Sequence, residues 1–320
     1  MKLFDYLFLH RPMLIIPVWT IALLGTRAAL WPERSVNPFQ LDRFPFADFT
    51  TGDIRLLVML FLAALAAGAA FIINQIYDIE SDRKNHKLFL LSEGHVSVKE
   101  AWALYFLSNA IAIAAGFVLN WQLAILFAGG ALVGLQYSYP KFRVRSDSYK
   151  SFRNNMIAHG MLAFLFGWVM VKNFDIAGVL KSIPYMLGVG ALYLNTTLLD
   201  TKGDKETNKV TYAIEWGKDK TQTIAAVLVA SGLITAVMAA DYAFAISAAV
   251  ALPFLVAARA QNSLKLSTLS TKVAILALSL FAVLFFPIYL IFLIVTFASA
   301  RLYYAKRFSL AYPVLWEHSK

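Results

Sequence analysis

Long, evenly apolar runs set the first limit on what this chain can fold into. They lie at about residues 13–30, 54–77, 101–119, 121–137, 155–171, 179–199, 223–240, 242–258 and 273–300. Runs of this length suit helices crossing a hydrocarbon core of ~30 Å, whereas the strands of a membrane barrel would alternate in polarity over about ten residues. With 59% hydrophobic and 15% charged residues and a mean hydropathy of +0.63, the chain lacks the polar surface of a soluble domain. The expected fold is an all-α integral membrane bundle of nine transmembrane helices, one membrane-embedded domain over residues 1–320, with the last run kinked at Pro287. No small-residue cleavage site follows the first run, so it is read as a retained span rather than a signal peptide.

The net charge of +10 is concentrated in loops at 78–100, 138–154 and 200–221, while the intervening loops hold few Lys or Arg. That alternation is a membrane-orientation signal rather than a nucleic-acid footprint. It places the N-terminus and these three loops on the cytoplasmic face of a cytoplasmic or equivalent inner membrane, and the connector 31–53 on the other. One conflict arises, because nine spans leave Arg301, Lys306 and Arg307 on the non-cytoplasmic face. Splitting the last run at Pro287 would return them, but each half of 273–300 is short for a span. The absence of cysteine excludes disulfides, thiolate metal sites and a Cys nucleophile.

Polar residues are then the informative ones. Asn74, Asp78 and Asp82 fall at i, i+4 and i+8 at the end of the second run, so a helix presents all three on one face. Carboxylates stacked at a membrane boundary repel each other unless something offsets their charge, and a bound cation does so most simply. Asp200 and Asp204 repeat the spacing four spans later, with Asn195 five residues before Asp200 and Thr196 four before it. Both pairs lie on the same membrane side.

Two carboxylate pairs with basic residues nearby, at the mouth of an apolar bundle, suit a diphosphate on a lipid tail. Mg²⁺ takes oxygen ligands and bridges one or two carboxylates to phosphate oxygens, so two clusters suit two ions around one diphosphate. With an allylic tail, such a site stabilises the charge that develops as the C–O bond breaks. The 25 Phe and 14 Tyr supply candidates to shield a carbocation.

These motifs resemble the UbiA-type intramembrane prenyltransferases. Asn74-x-x-x-Asp78-x-x-x-Asp82, with Asn85 and Gly94 after it, is similar to the first aspartate-rich motif of that family. Asp200-x-x-Gly203-Asp204, followed by Lys209, Thr211 and Gly217, resembles the second, and Tyr137-x-x-x-Lys141 matches a Tyr and Lys near the diphosphate. The resemblance implies a nine-helix bundle around a central cavity opening to the membrane, with Mg²⁺ held by Asp78, Asp82, Asp200 and Asp204. It implies that Asn74 hydrogen-bonds the diphosphate or a metal-bound water, and that Tyr137 and Lys141 bind the leaving group. The implied partners are a polyprenyl diphosphate donor, an unidentified lipophilic or amphiphilic acceptor and the lipid bilayer, with no nucleic acid.

Four further residues are candidates for substrate binding: Tyr193, seven before Asp200 and hence on its face; Lys202, between the two aspartates; Arg145; and Lys84. Three of them have a plain alternative, namely packing for Tyr193, pairing with the aspartates for Lys202 and membrane orientation for Arg145. His159, within the fifth run, is read either as an acceptor-activating base or as a hydrogen-bonding partner of a neighbouring helix. The chain departs from the family pattern at Gln75, Asn208 and the segment Lys87 to Leu90, where a family arginine is missing and Lys84 or Lys87 would supply the charge. Those residues are also where an acceptor preference would be written. A transporter or cation carrier using the same carboxylates is the alternative function.

Overall fold

The structure is a computed structural model that describes residues 2–30, 54–84, 89–142, 144, 147–206 and 210–313. The connector 31–53 and Asn85, Lys87, Arg145, Asn208 and Lys209 lie outside the described residues, and of Lys202 and Gly203 only the helical backbone is described. All regular elements of the described residues are helical.

A short helix α1 (Lys2–Leu9) leads into α2 (Pro12–Leu30), whose first residue is a proline and so loses no helical hydrogen bond. Helix α3 (Ile54–Lys84) runs 31 residues without a break. It is followed by α4 (Phe89–Ser92), α5 (Val98–Leu119) and α6 (Trp121–Ser138). Ser97 and Glu100 close a reciprocal capping box on α5. A single residue, Asn120, ends α5 and caps α6, and a Cβ on Gly116 would stand 2.8 Å from the backbone of Ala124. The turn of this tight hairpin carries no charged residue.

The fifth run is segmented into α7 (Ser148–Asn155), a π-helix (Met156–Leu162) and α8 (Ala163–Val169). Helix α9 (Ile176–Glu206) is again 31 residues long. Then come α10 (Tyr212–Glu215), α11 (Gly217–Met238), α12 (Tyr242–Ala260), α13 (Leu264–Phe285) and α14 (Tyr289–Phe308). Eight helices among the described residues are long and apolar enough to cross a membrane, close to the nine expected. Small residues let backbones touch, as membrane packing favours: a Cβ on Gly167 of α8 would lie 1.7 Å from the Ala22 carbonyl of α2.

The expected single kinked span at 273–300 is instead the two helices α13 and α14. Proline cannot donate to the preceding turn and its ring clashes there, so α13 closes with Phe286 N–H donating to Ala282 at 2.8 Å and α14 starts after Ile288. Neither is short, because α13 begins at Leu264 and α14 continues to Phe308. The end of α14 consequently returns to the face of the bundle that carries the aspartate motifs. There Arg307 meets the buried Asp5 at 3.2 Å and His95 at 3.0 Å, which resolves the charge conflict in the nine-span reading.

Two apolar cores result. The larger joins α2, α8, α9, α11, α12 and α13 around Trp168, Phe164 and Tyr185. The smaller packs α1, α4 and the end of α14 against α3 through Phe8, Ile72, Leu90 and Tyr303. Phe89 packs on Phe308 with ring centroids 5.4 Å apart and the planes tilted, and Leu90 is buried. These two residues of the divergent segment are therefore spent on packing α4 against α14.

Candidate functional site

Both motifs sit on uninterrupted helix, so the i, i+4 geometry expected from sequence holds on α3 and on α9. On α3, Asn74, Asp78 and Asp82 are all half-buried. Gln75 points the other way and is 2% exposed; its side-chain amide donates to the carbonyls of Leu9 at 2.9 Å and Phe71 at 3.0 Å. That explains the departure at Gln75, which ties the end of α1 to the motif helix.

On α9, Asp204 is buried and Asp200 half-buried. The Tyr137 hydroxyl, from the last turn of α6, meets Asn155 and Ser151 of α7 and lies beside Asp204. Tyr193 faces the same group, Tyr137, Ser151 and Asp204. Tyr137, Tyr193, Ser151 and Asn155 thus form a polar group drawn from α6, α7 and α9, within electrostatic range of Asp204. Asn195 does not join it: five residues before Asp200, it turns away to donate to Thr271 at 3.1 Å. The internal repeat therefore extends to the aspartates and not to the asparagines.

Both motifs act electrostatically on one residue between α1 and α2 that the sequence alone did not single out, Arg11. Arg11 feels both Asp82 of α3 and Asp200 of α9, and its guanidinium lies 5.8 Å from the ring of Phe71. Burial lowers its pKa, and Tyr312, Asp82, Tyr304 and Asp200 oppose that shift; an arginine remains cationic throughout. Its backbone is left-handed, with φ of 55°. A non-glycine residue in that region is a strained conformation of the kind that gathers at functional sites. Arg11 lies at the break between α1 and α2, and its acidic neighbours come from distant parts of the chain.

His159 lies in the π-helix and stacks on the ring of Phe71, with centroids 5.8 Å apart. A Cβ on the next residue, Gly160, would approach the Met186 backbone to 2.6 Å. Lys84 and Lys141 are exposed at the rim and make no ion pair among the described residues. Gly94 and Gly217 have φ of 76° and 73°, a region that glycine adopts without strain.

The oxygen-only donor set suits magnesium. Among the described residues no three His, Cys, Asp or Glu side chains gather closely enough to hold a metal by themselves. Two carboxylate pairs match the habit of Mg²⁺ of taking one or two carboxylates and completing its shell with phosphate oxygens and water. Deeper in the bundle lies a pocket bounded by α2, α9, α11, α12 and α13, with a lining that is almost wholly apolar.

Known proteins fit this arrangement. The computed structure resembles that of digeranylgeranylglyceryl phosphate synthase with a TM-score of 0.63 and 20% identity, over 89% of this chain and 98% of the other. It resembles a UbiA homologue from Archaeoglobus fulgidus, bound to GPP and Mg²⁺, with a TM-score of 0.62 and 19% identity over 88% and 99% of the two chains. A 2-acylphloroglucinol 4-prenyltransferase from Humulus lupulus is 27% identical over 221 residues, 65% of this chain and 48% of the hop protein. The chain spans about half the length of the curated relatives it matches. The sequence profile of one family covers residues 44–272, from before α3 to within α13 and across both aspartate motifs; with the helical fold and the paired carboxylates, that match means the chain belongs to the UbiA prenyltransferase family.

Proposed function

We propose that this protein transfers a prenyl chain from a polyprenyl diphosphate to a lipophilic or amphiphilic acceptor, with Mg²⁺, releasing pyrophosphate. The observation that carries the proposal is the pair of aspartate motifs on α3 and α9, each with its carboxylates four residues apart on unbroken helix, with Asp82 of one and Asp200 of the other both acting electrostatically on Arg11. Two carboxylate groups facing one fixed cation form a surface of mixed charge that suits a metal–diphosphate pair better than a bare ion. The solved homologue described as bound to GPP and Mg²⁺ supports the same ligand class.

In this reading Asp78, Asp82, Asp200 and Asp204 hold two Mg²⁺ ions, which when bound neutralise the diphosphate and stabilise charge on it as a leaving group. Arg11 takes a diphosphate oxygen through its planar fork of donors. Asn74 hydrogen-bonds the diphosphate or a metal-bound water. The Tyr137 hydroxyl donates to the departing oxygen, with Tyr193 shaping the wall beside it. The positive charges of Lys84, Lys141, Lys202 and Arg145 draw the diphosphate in. The C1–O bond of the donor breaks, C1 bonds to the acceptor and the acceptor loses a proton, so prenylated product and pyrophosphate form one to one. The motif loops face the cytoplasm, in keeping with the charge of their loops.

Purified protein supplied with geranylgeranyl diphosphate and a panel of phenolic, quinone-precursor and glycerol phosphate acceptors tests this directly. Mass spectrometry is expected to find one prenylated product, pyrophosphate in equal amount, and loss of both on adding EDTA. Product formation that continues in EDTA, or an ion flux in liposomes with no donor consumed, would contradict the proposal.

A further inference from the structure

The apolar pocket has a defined floor. At its end nearer the aspartate layer it is lined by Asn195, five residues before Asp200 and turned away from Asp204, and by Pro17, six after Arg11. Two helices therefore descend from the charged layer to the pocket within about 9 Å at 1.5 Å per residue. At the other end stand Tyr185 and Phe244, with ring centroids 5.1 Å apart and edge to face.

One carboxylate fixes both rings. Asp241 accepts from the Tyr185 hydroxyl at 2.8 Å and, capping α12, from the Phe244 backbone N–H at 3.1 Å. The Phe244 ring is also wedged between two helices, since a Cβ on Gly188 of α9 or on Gly232 of α11 would come within 3.0 Å of it. Beyond the floor the chemistry changes. A second, smaller pocket is lined by Arg27, Lys181 and Asp241, with the hydroxyl end of Tyr185 between the two spaces. Lys181 donates there to the Ala239 carbonyl at 3.1 Å. An apolar chain that passed the floor would meet charged groups that it cannot solvate.

We propose that the Tyr185–Phe244 pair, positioned by Asp241, is the length stop for the prenyl tail of the donor. The proposal rests on the prenyl diphosphate reading of the carboxylate site and adds what limits the tail. Tyr185 and Phe244 touch the tail's far end; Asp241 is a positioning residue acting through them. Phe244→Ala deepens the pocket, Gly188→Ala pushes the ring into it, and Tyr185→Phe keeps the ring but frees it from Asp241.

The test is Mg²⁺-dependent binding of the thiodiphosphate analogues of geranyl, farnesyl and geranylgeranyl diphosphate to each purified variant. Wild-type protein is expected to prefer one length. Phe244→Ala should move the preference to a longer analogue and Gly188→Ala to a shorter one, each by at least about tenfold in relative affinity, the scale on which an apolar pocket reads added or missing carbon. Tyr185→Phe and Asp241→Asn should flatten the preference without loss of Mg²⁺ dependence. Should Phe244→Ala fail to fold, Gly188→Ala and Tyr185→Phe carry the same test. Variants that bind all three analogues in the wild-type order overturn the length stop and leave the carboxylate reading standing; so does a wild type that binds all lengths alike because a bilayer lipid chain fills the pocket. A wild type with no Mg²⁺-dependent binding overturns both.

Discussion

Asp78→Asn and Asp204→Asn are each expected to lower prenyl transfer by at least ~10²–10³-fold, the loss that follows removal of one group stabilising charge at a reacting centre. Asparagine keeps the volume and one oxygen, so the helices and their packing stay intact while the charge goes. Asp204 is the sharper case because it is buried, where solvent ions cannot replace a missing carboxylate. Pyrophosphate release in saturating donor measures the effect, and thermal melting in detergent checks the fold. Full turnover in either variant would remove the aspartates from the mechanism.

Arg11→Gly is expected to weaken donor binding by roughly 10- to 100-fold, corresponding to the ~1.5–3 kcal/mol of a hydrogen bond to a charged group. Glycine is the informative replacement, because the residue has φ of 55° and alanine would keep the backbone strain while removing the charge. Arg11→Lys should recover only part of the affinity, since a point charge does not reproduce the planar fork. Titration with the thiodiphosphate analogue of geranyl diphosphate in excess Mg²⁺ measures it. Wild-type affinity in Arg11→Gly would show that the convergence of Asp82 and Asp200 on this cation serves the fold alone.

How much of this was legible in the sequence depended on whether the signal was local. Hydropathy located the helices, and the four-residue spacing put each aspartate pair on one face, because both follow from helix geometry within one segment. The break at Pro287 was visible, yet its outcome was not. Helix α13 begins at Leu264 in a stretch holding Lys265, Ser267, Thr268, Ser270, Thr271 and Lys272, which reads as a polar loop. Inside the bundle several of those hydroxyls bond back to their own helix, Ser270 to the Ser267 carbonyl at 2.7 Å for one. The π-helix around His159 left no mark in periodicity. Arg11 escaped because its partners are on α3 and α9, and nothing in its neighbourhood points to them. Gln75 looked like a lost family residue and is instead a hydrogen-bonded strut between α1 and α3.

The central claim is that two aspartate helices and Arg11 together hold a metal-bridged diphosphate. Its most direct measurement is binding of the geranyl thiodiphosphate analogue to purified wild-type protein, titrated with Mg²⁺ and again in EDTA. Saturable one-to-one binding that appears with Mg²⁺ and vanishes in EDTA is the predicted result; equal affinity in both conditions would contradict it.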